Sequence, residues 1–136
     1  MPARGAESRV AATHSYRFRP CHRLRTAAEF ECVYRTGQRA GDGLFTVNAL
    51  ANELGFARLG MSVSTRTVGN AVRRNRVRRI IREVFRVRHA SLPAVDLVVT
   101  SRPGARGAER PAIVTSLERL FDRATREAGG PEGPRA

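Results

Sequence analysis

The chain has 136 residues, of which 25 are Arg or Lys and 12 are Asp or Glu, giving a formal net charge of +13 and a pI near 11.7. That length suits one domain with one core, no apolar run approaches the roughly 20 residues that span a bilayer, and two cysteines are too few to staple a secreted fold. A reduced, cytosolic setting follows, and because every basic residue is Arg, the surface carries planar, permanently charged forks suited to phosphate.

Residues 1–20, MPARGAESRVAATHSYRFRP, are Arg-bearing with a single acid. They read as a disordered basic arm in preference to an organelle transit peptide, and they contain no secretory apolar segment. A folded domain is expected over residues 21–127. Thr26-Ala27-Ala28-Glu29 has the form of a capping box, so a first helix of about ten residues starts near Ala27. Phe30, Val33 and Tyr34 share one of its faces, and Gly37 is placed as a left-handed stop. After Gly41-Asp42-Gly43, the segment Leu44 to Leu50 sets Phe45, Val47 and Ala49 on one face of a strand. Asn52-Glu53-Leu54-Gly55 reads as a hairpin connection into Phe56 to Ser64, where Ala57, Leu59, Met61 and Val63 alternate with Arg58, Gly60, Ser62 and Ser64.

From Asn70 to Arg88 the period turns helical, with Val77, Ile80, Ile81 and Val84 inside an arc of about 100°. Leu92-Pro93 ends that helix, Val95 to Val99 forms a short apolar strand, and Ser101 to Arg110 is a Gly, Pro and Arg loop. Pro111 opens a final amphipathic helix through Ile113, Leu117, Leu120, Phe121 and Ala124, and residues 128–136 read as a flexible tail. The fold class is therefore α+β: a small mixed sheet of about four strands covered by helices, in the order α-β-β-β-α-β-α. Cys21, Cys32, His14, His22 and His89 lack the spacing of a zinc site, so no metal site is expected and the cysteines read as small, partly buried side chains.

The chemistry concentrates in residues 73 to 88, RRNRVRRIIREVFRVR, which hold eight Arg and one acid, Glu83, and so carry +7 of the +13. On a helix Asn75, Arg78, Arg79, Arg82 and Arg86 share about 100° opposite the apolar stripe, with Arg76 beside them, while Arg73 and Arg74 flank the stripe. Like charges four apart, as in Arg74/Arg78, Arg78/Arg82 and Arg82/Arg86, oppose the helix by about 0.2–0.5 kcal/mol per pair, and Glu83 lies within helical reach of Arg76 and Arg79. A merely solvated face favours mixed signs; this one makes physical sense when phosphates of another molecule supply the anions. A membrane-surface helix fits less well, because the apolar face suits packing on a sheet and has no Trp. The strand before the helix argues against a helix-turn-helix, while backbone contacts alone do not separate RNA from DNA.

Arg58-Leu59-Gly60-Met61-Ser62-Val63-Ser64, followed by Val68-Gly69-Asn70-Ala71-Val72-Arg73-Arg74-Asn75-Arg76-Val77-Arg78-Arg79-Ile80-Ile81-Arg82-Glu83, closely resembles the signature of the bacterial ribonuclease P protein family. Arg23-Leu24-Arg25, Glu29-Phe30, Val33-Tyr34 and Gly37 are similar to that family's opening helix, and Val95 to Val99 to its last strand. The likeness covers roughly residues 22 to 127. It implies a ribosomal-protein-S5-domain-2-like fold with a left-handed strand-helix-strand crossover. It also implies a protein subunit of the ribonucleoprotein that removes the 5′ leader from precursor tRNA. In that assembly the RNA subunit, which mainly binds the Mg²⁺, hydrolyses the phosphodiester, and the protein supplies no catalytic side chain. The sequence agrees, holding no paired carboxylates, metal-ligand cluster or Walker loop at a suitable spacing.

By the same resemblance, Arg66, Asn70, Arg73, Arg74, Asn75, Arg76, Arg78, Arg79 and Arg82 would bind the catalytic RNA. Phe30, Tyr34, Phe45 and Asn48 would line a cleft for single-stranded leader, with Asn48 standing where many members carry an aromatic residue. Phe30 and Tyr34 also sit at core spacing. The expected partners are the catalytic RNA and precursor tRNA, with no membrane and no obligate protein partner. A ribosomal-type structural RNA-binding protein and a duplex DNA binder are the rival readings.

Overall fold

The computed structural model describes residues 23–128; the basic arm and the tail from residue 129 lie outside the described residues. The first helix, α1 (Ala27–Thr36), starts as its capping box dictates. The Thr26 hydroxyl accepts from the Glu29 amide at 3.1 Å, and Glu29 reaches back to the amides of Thr26 at 3.1 Å and Arg25 at 2.7 Å. The helix ends at Gly37, which is extended (φ −83°, ψ 170°) and not left-handed as expected. Glycine serves there for closeness: a Cβ would lie 2.6 Å from the Val33 carbonyl oxygen and 2.7 Å from that of Ala49.

β1 (Gln38–Gly41) and β2 (Phe45–Ala51) form an antiparallel pair. Asp42 shapes the turn between them, accepting from the amides of Leu44 at 2.8 Å and Phe45 at 3.0 Å and from the Ser116 hydroxyl at 2.7 Å. Burial works against its charged form, yet these hydrogen bonds and Arg119 hold the carboxyl below its ordinary range.

β3 (Arg58–Ser62) does not pair with β2, so Asn52 to Gly55 is not a hairpin connection. β4 (Val95–Ser101) lies between them, antiparallel to β2 and parallel to β3, and the sheet order is β1-β2-β4-β3. Burial explains the correction. Val95 to Val99 are all buried, and a strand covered on both faces belongs in the middle of a sheet. Asn52 turns the chain toward β4, its amide donating to the Ala94 carbonyl at 2.9 Å and its side chain to Asp96 at 2.8 Å.

From β3 the chain crosses to β4 through α2 (Thr65–Val68) and α3 (Ala71–Arg88), completing a parallel strand-helix-strand unit. Asn70 caps α3, its side chain accepting from the Arg73 amide at 3.0 Å. Gly69 joins the two helices at φ +114°, a conformation that L side chains rarely adopt. α4 (Arg110–Glu127) follows with Pro111 in its first turn, where the missing amide is not needed.

α3 and α4 cover one face of the sheet. Ile81, Phe85, Ile113, Leu117 and Phe121 meet Phe45, Val47, Leu97 and Val99 there, and each large side chain so buried contributes about 1.5–3 kcal/mol. α1 covers the other face with a smaller cluster of Leu24, Val33 and Val98, flanked by Phe30 and Leu50. Strand alternation puts Thr46, Asn48, Ser62 and Thr100 on this second face, whose remaining part is polar.

One network pins α1 to the sheet. Arg58 donates to Asp96 through Nε at 2.9 Å and Nη2 at 2.8 Å, and to Glu29 through Nη1 at 3.2 Å. Glu29 therefore caps α1 and also ties it to β3. The Arg25 and Thr26 amides, with Arg58 behind them, hold the Glu29 carboxyl below its ordinary range. Hydrogen bonding by Asp96, more than any other influence, pushes the Arg58 guanidinium above its own.

Candidate RNA interface

The outer face of α3 is as unbalanced in three dimensions as in sequence. Among the described residues, its arginines with a carboxylate partner are Arg86, paired with Glu83 at 2.7 Å, and Arg88, paired with Asp122. Glu83 thus leaves Arg76 and Arg79 unneutralised, contrary to what helical reach allowed. The hydrogen bond from Arg86 first, and its charge second, hold the Glu83 carboxyl below its ordinary range. Arg73, Arg74, Arg76, Arg78, Arg79 and Arg82 have no carboxylate within 4.0 Å among the described residues. Several are nonetheless oriented by neutral partners. Arg74 is half-buried and donates from Nε to the Gly69 carbonyl at 3.2 Å; Arg76 donates to the Ala108 carbonyl at 3.2 Å; Arg78 donates to Asn75 at 3.4 Å. Arg79 is exposed, as is Arg66 on α2, and the side-chain oxygen of Asn70 is used in capping.

α1 and α3 face each other across the edge strand β3, and a cleft of about 320 Å³ opens between them. Leu24, Phe30 and Gly60 give it an apolar surface, and Arg23, Arg78 and Arg82 give it charge. Gly60 is what lets the ring approach, since a Cβ there would lie 2.6 Å from Phe30 Cζ. Tyr34 lies beside Phe30 with ring centroids 6.4 Å apart, is 42% exposed, and shares a hydrogen bond with the Thr100 hydroxyl at 3.3 Å.

Of the four residues expected to line a leader cleft, the structure brings together Phe30 and Tyr34. Phe45 is a correction: strand alternation places it with Val47 and Ala49 beneath α3 and α4, fully buried on the opposite face. Asn48 is on the same face as α1 but only 6% exposed. Arg23 and Gly60 were not among the expected site residues. The usable signal was the glycine itself, because Gly inside a strand marks a close approach.

Such an arrangement offers planar forks for phosphates and aromatic surface for an unpaired base. The nearby carboxylates Glu29 and Asp96 are held by Arg58, and Asp42 by Ser116 and two amides. Among the described residues, no three His, Cys, Asp or Glu side chains are grouped to hold a metal ion, and no helix is long and apolar enough to cross a membrane.

The family model described as Ribonuclease P matches residues 18–125. The ribonuclease P protein component of Escherichia coli O6:H1 is 39% identical over 109 residues, covering 80% of this chain and 92% of that one. The corresponding protein of Salmonella newport is 40% identical over 108 residues, covering 79% and 91%. Among solved structures, the Staphylococcus aureus RNase P protein superposes with a TM-score of 0.72 at 36% identity, covering 76% of this chain and 94% of that one. The Thermotoga maritima RNase P protein, in complex with 1-(4-fluorophenyl)-2-thiourea, gives 0.68 at 28% identity, covering 74% and 97%. The sheet, the Arg-rich helix and these matches lead to one conclusion: the chain belongs to the ribonuclease P protein family.

Proposed function

We propose that this chain, as the protein subunit of ribonuclease P, promotes removal of the 5′ leader from precursor tRNA through binding alone. The observation that carries the reading is the row of α3 arginines without carboxylate partners, set beside a cleft that presents Phe30, with Tyr34 next to that ring. Phosphates of the catalytic RNA would neutralise Arg78, Arg79 and Arg82, with Arg66, Arg73, Arg74 and Arg76 along the same helix and its approach, and Asn75 would donate a hydrogen bond to that backbone. Asn70 would act mainly by fixing where α3 begins. Phe30 and Tyr34 would hold unpaired leader, raising affinity for precursor over mature tRNA. Mg²⁺, bound mainly by the RNA subunit, would supply the hydrolytic chemistry. The carboxylates nearest the cleft are already engaged by Arg58, which supports leaving the metal with the RNA. A cytoplasmic location accompanies this role.

Reconstitution tests it. The purified chain, added to the catalytic RNA at low Mg²⁺, should accelerate cleavage of tRNA bearing a 5′ leader. Replacing Phe30 and Tyr34 by Ala should erode the preference for precursor over mature tRNA by roughly 5- to 150-fold, the range expected for one lost base stack of about 1–3 kcal/mol. Binding without acceleration is the behaviour of a structural RNA-binding protein and would overturn the reading.

A further inference from the structure

Arg73 does not face the way the outer-ridge residues of α3 do. At about 100° per residue, Arg73 points roughly 120–180° around the helix from Asn75, Arg79 and Arg82. It lies ahead of the buried stripe, where the helix overhangs Gly69, and it is exposed. Its side chain folds back over that glycine. The position a Gly69 Cβ would occupy is 3.3 Å from Arg73 Cδ and 3.6 Å from its Nη1, and 3.9 Å from the Cζ of Arg106. Arg106 arrives from a separate element, the turn after Pro103–Ala105, where its amide donates to the Pro103 carbonyl at 3.0 Å. Two guanidiniums thus converge across one glycine, and neither has a carboxylate within 4.0 Å among the described residues. The adjoining amino end of α3 adds positive potential of its own. A phosphate, which can accept from two forks at once, is the anion such a pair fits.

We propose that Arg73 and Arg106 form a clamp for a single RNA backbone phosphate, on the side of α3 away from its outer ridge. The proposal rests on the reading that this chain binds ribonuclease P RNA. The RNA would then hold the amino end of α3 from two sides, which fixes the helix's direction as well as its position. The loop from Arg102 to Glu109, between β4 and α4, becomes part of the interface and not a mere connection.

The test follows binding of the full chain to ribonuclease P RNA across a salt series. The proteins are wild type, Arg73→Ala, Arg106→Ala, the double variant, and Arg79→Ala as an outer-ridge control. One lost phosphate contact reduces the slope of log K against log salt by about 0.7–0.9. Each clamp variant should lose about one such step, and the double variant no more, because the clamp holds its single phosphate only when both forks are present. Joining Arg106→Ala to Arg79→Ala should cost about two steps. An unchanged slope in Arg106→Ala overturns the clamp, and so does a double variant that loses two steps. Sensitivity to Arg79 with indifference to Arg106 removes the clamp alone; a wild-type chain that does not bind the RNA removes the underlying reading too. Should Arg73→Ala fail to fold, Arg73→Gln keeps the stem over Gly69 and gives the same measurement.

Discussion

Arg58 joins the fold to the site, since the same guanidinium that satisfies a buried carboxylate also seats the helix bearing Phe30 and Tyr34. In Arg58→Met, Asp96 would remain buried, at 7% exposure, with its hydrogen bond from Asn52. Removing one partner of a buried ion pair costs about 3–5 kcal/mol, whereas an exposed pair contributes about 0–1 kcal/mol. The Arg58 and Asp96 side chains are 18% and 10% exposed, close to the first case, while Glu29 at 33% lies nearer the second. A loss of about 2–4 kcal/mol follows from that placement. For a domain of about 100 residues it corresponds to a fall in Tm of roughly 10–25 °C. Chemical and thermal unfolding would measure it, in a cycle with Asp96→Asn. The two substitutions should be strongly non-additive, and Glu29→Gln should cost only about 1 kcal/mol. A loss under about 1 kcal/mol for Arg58→Met, or simple additivity with Asp96→Asn, would mean that Arg58 and Asp96 do not stabilise the fold as a buried pair.

Two further outcomes test other parts of the fold. Gly60→Ala places a methyl 2.6 Å from Phe30 Cζ and 3.0 Å from Leu24 Cδ1, so it should destabilise by about 1–3 kcal/mol, and Phe30→Leu in the same chain should recover part of that in urea unfolding. His89 is buried edge-on against Phe85, and burial lowers its pKa below the ordinary 6.5 despite an opposing hydrogen bond with the Ala57 backbone. The unfolded chain then binds the proton more readily, so this contribution is full above pH 6.5 and is lost as pH falls below it. The urea midpoint of the wild type should drop on acidification through that window, and His89→Gln should flatten the drop.

What could be read in advance was mostly local. The Thr26/Glu29 box, the apolar stripe of α3 and the start at Pro111 are each set by neighbours within one or two helical turns, and each appears where expected. Pairing order is a different matter, because a turn-like Asn52 to Gly55 looks the same whether the next strand returns beside β2 or passes beyond β4. The distinguishing mark was the fully buried run from Val95 to Val99, which only a central strand needs. Phe45 shows the same limit on the sheet's faces. Alternation tells which residues share a side with it, but which helices cover that side is decided by the whole chain, and α3 and α4 cover it. Charge was the most legible property of all, since eight arginines and one acid in sixteen residues leave little internal neutralisation to find. The direction of Arg73, by contrast, depends on Gly69 and on a loop more than thirty residues away.

The most direct measurement is the salt dependence of binding between the full chain and ribonuclease P RNA. With six arginines of α3 lacking carboxylate partners among the described residues, log K should fall against log salt with a slope near −4 to −5. A slope close to zero would mean that phosphates do not supply the missing anions, and would contradict the account.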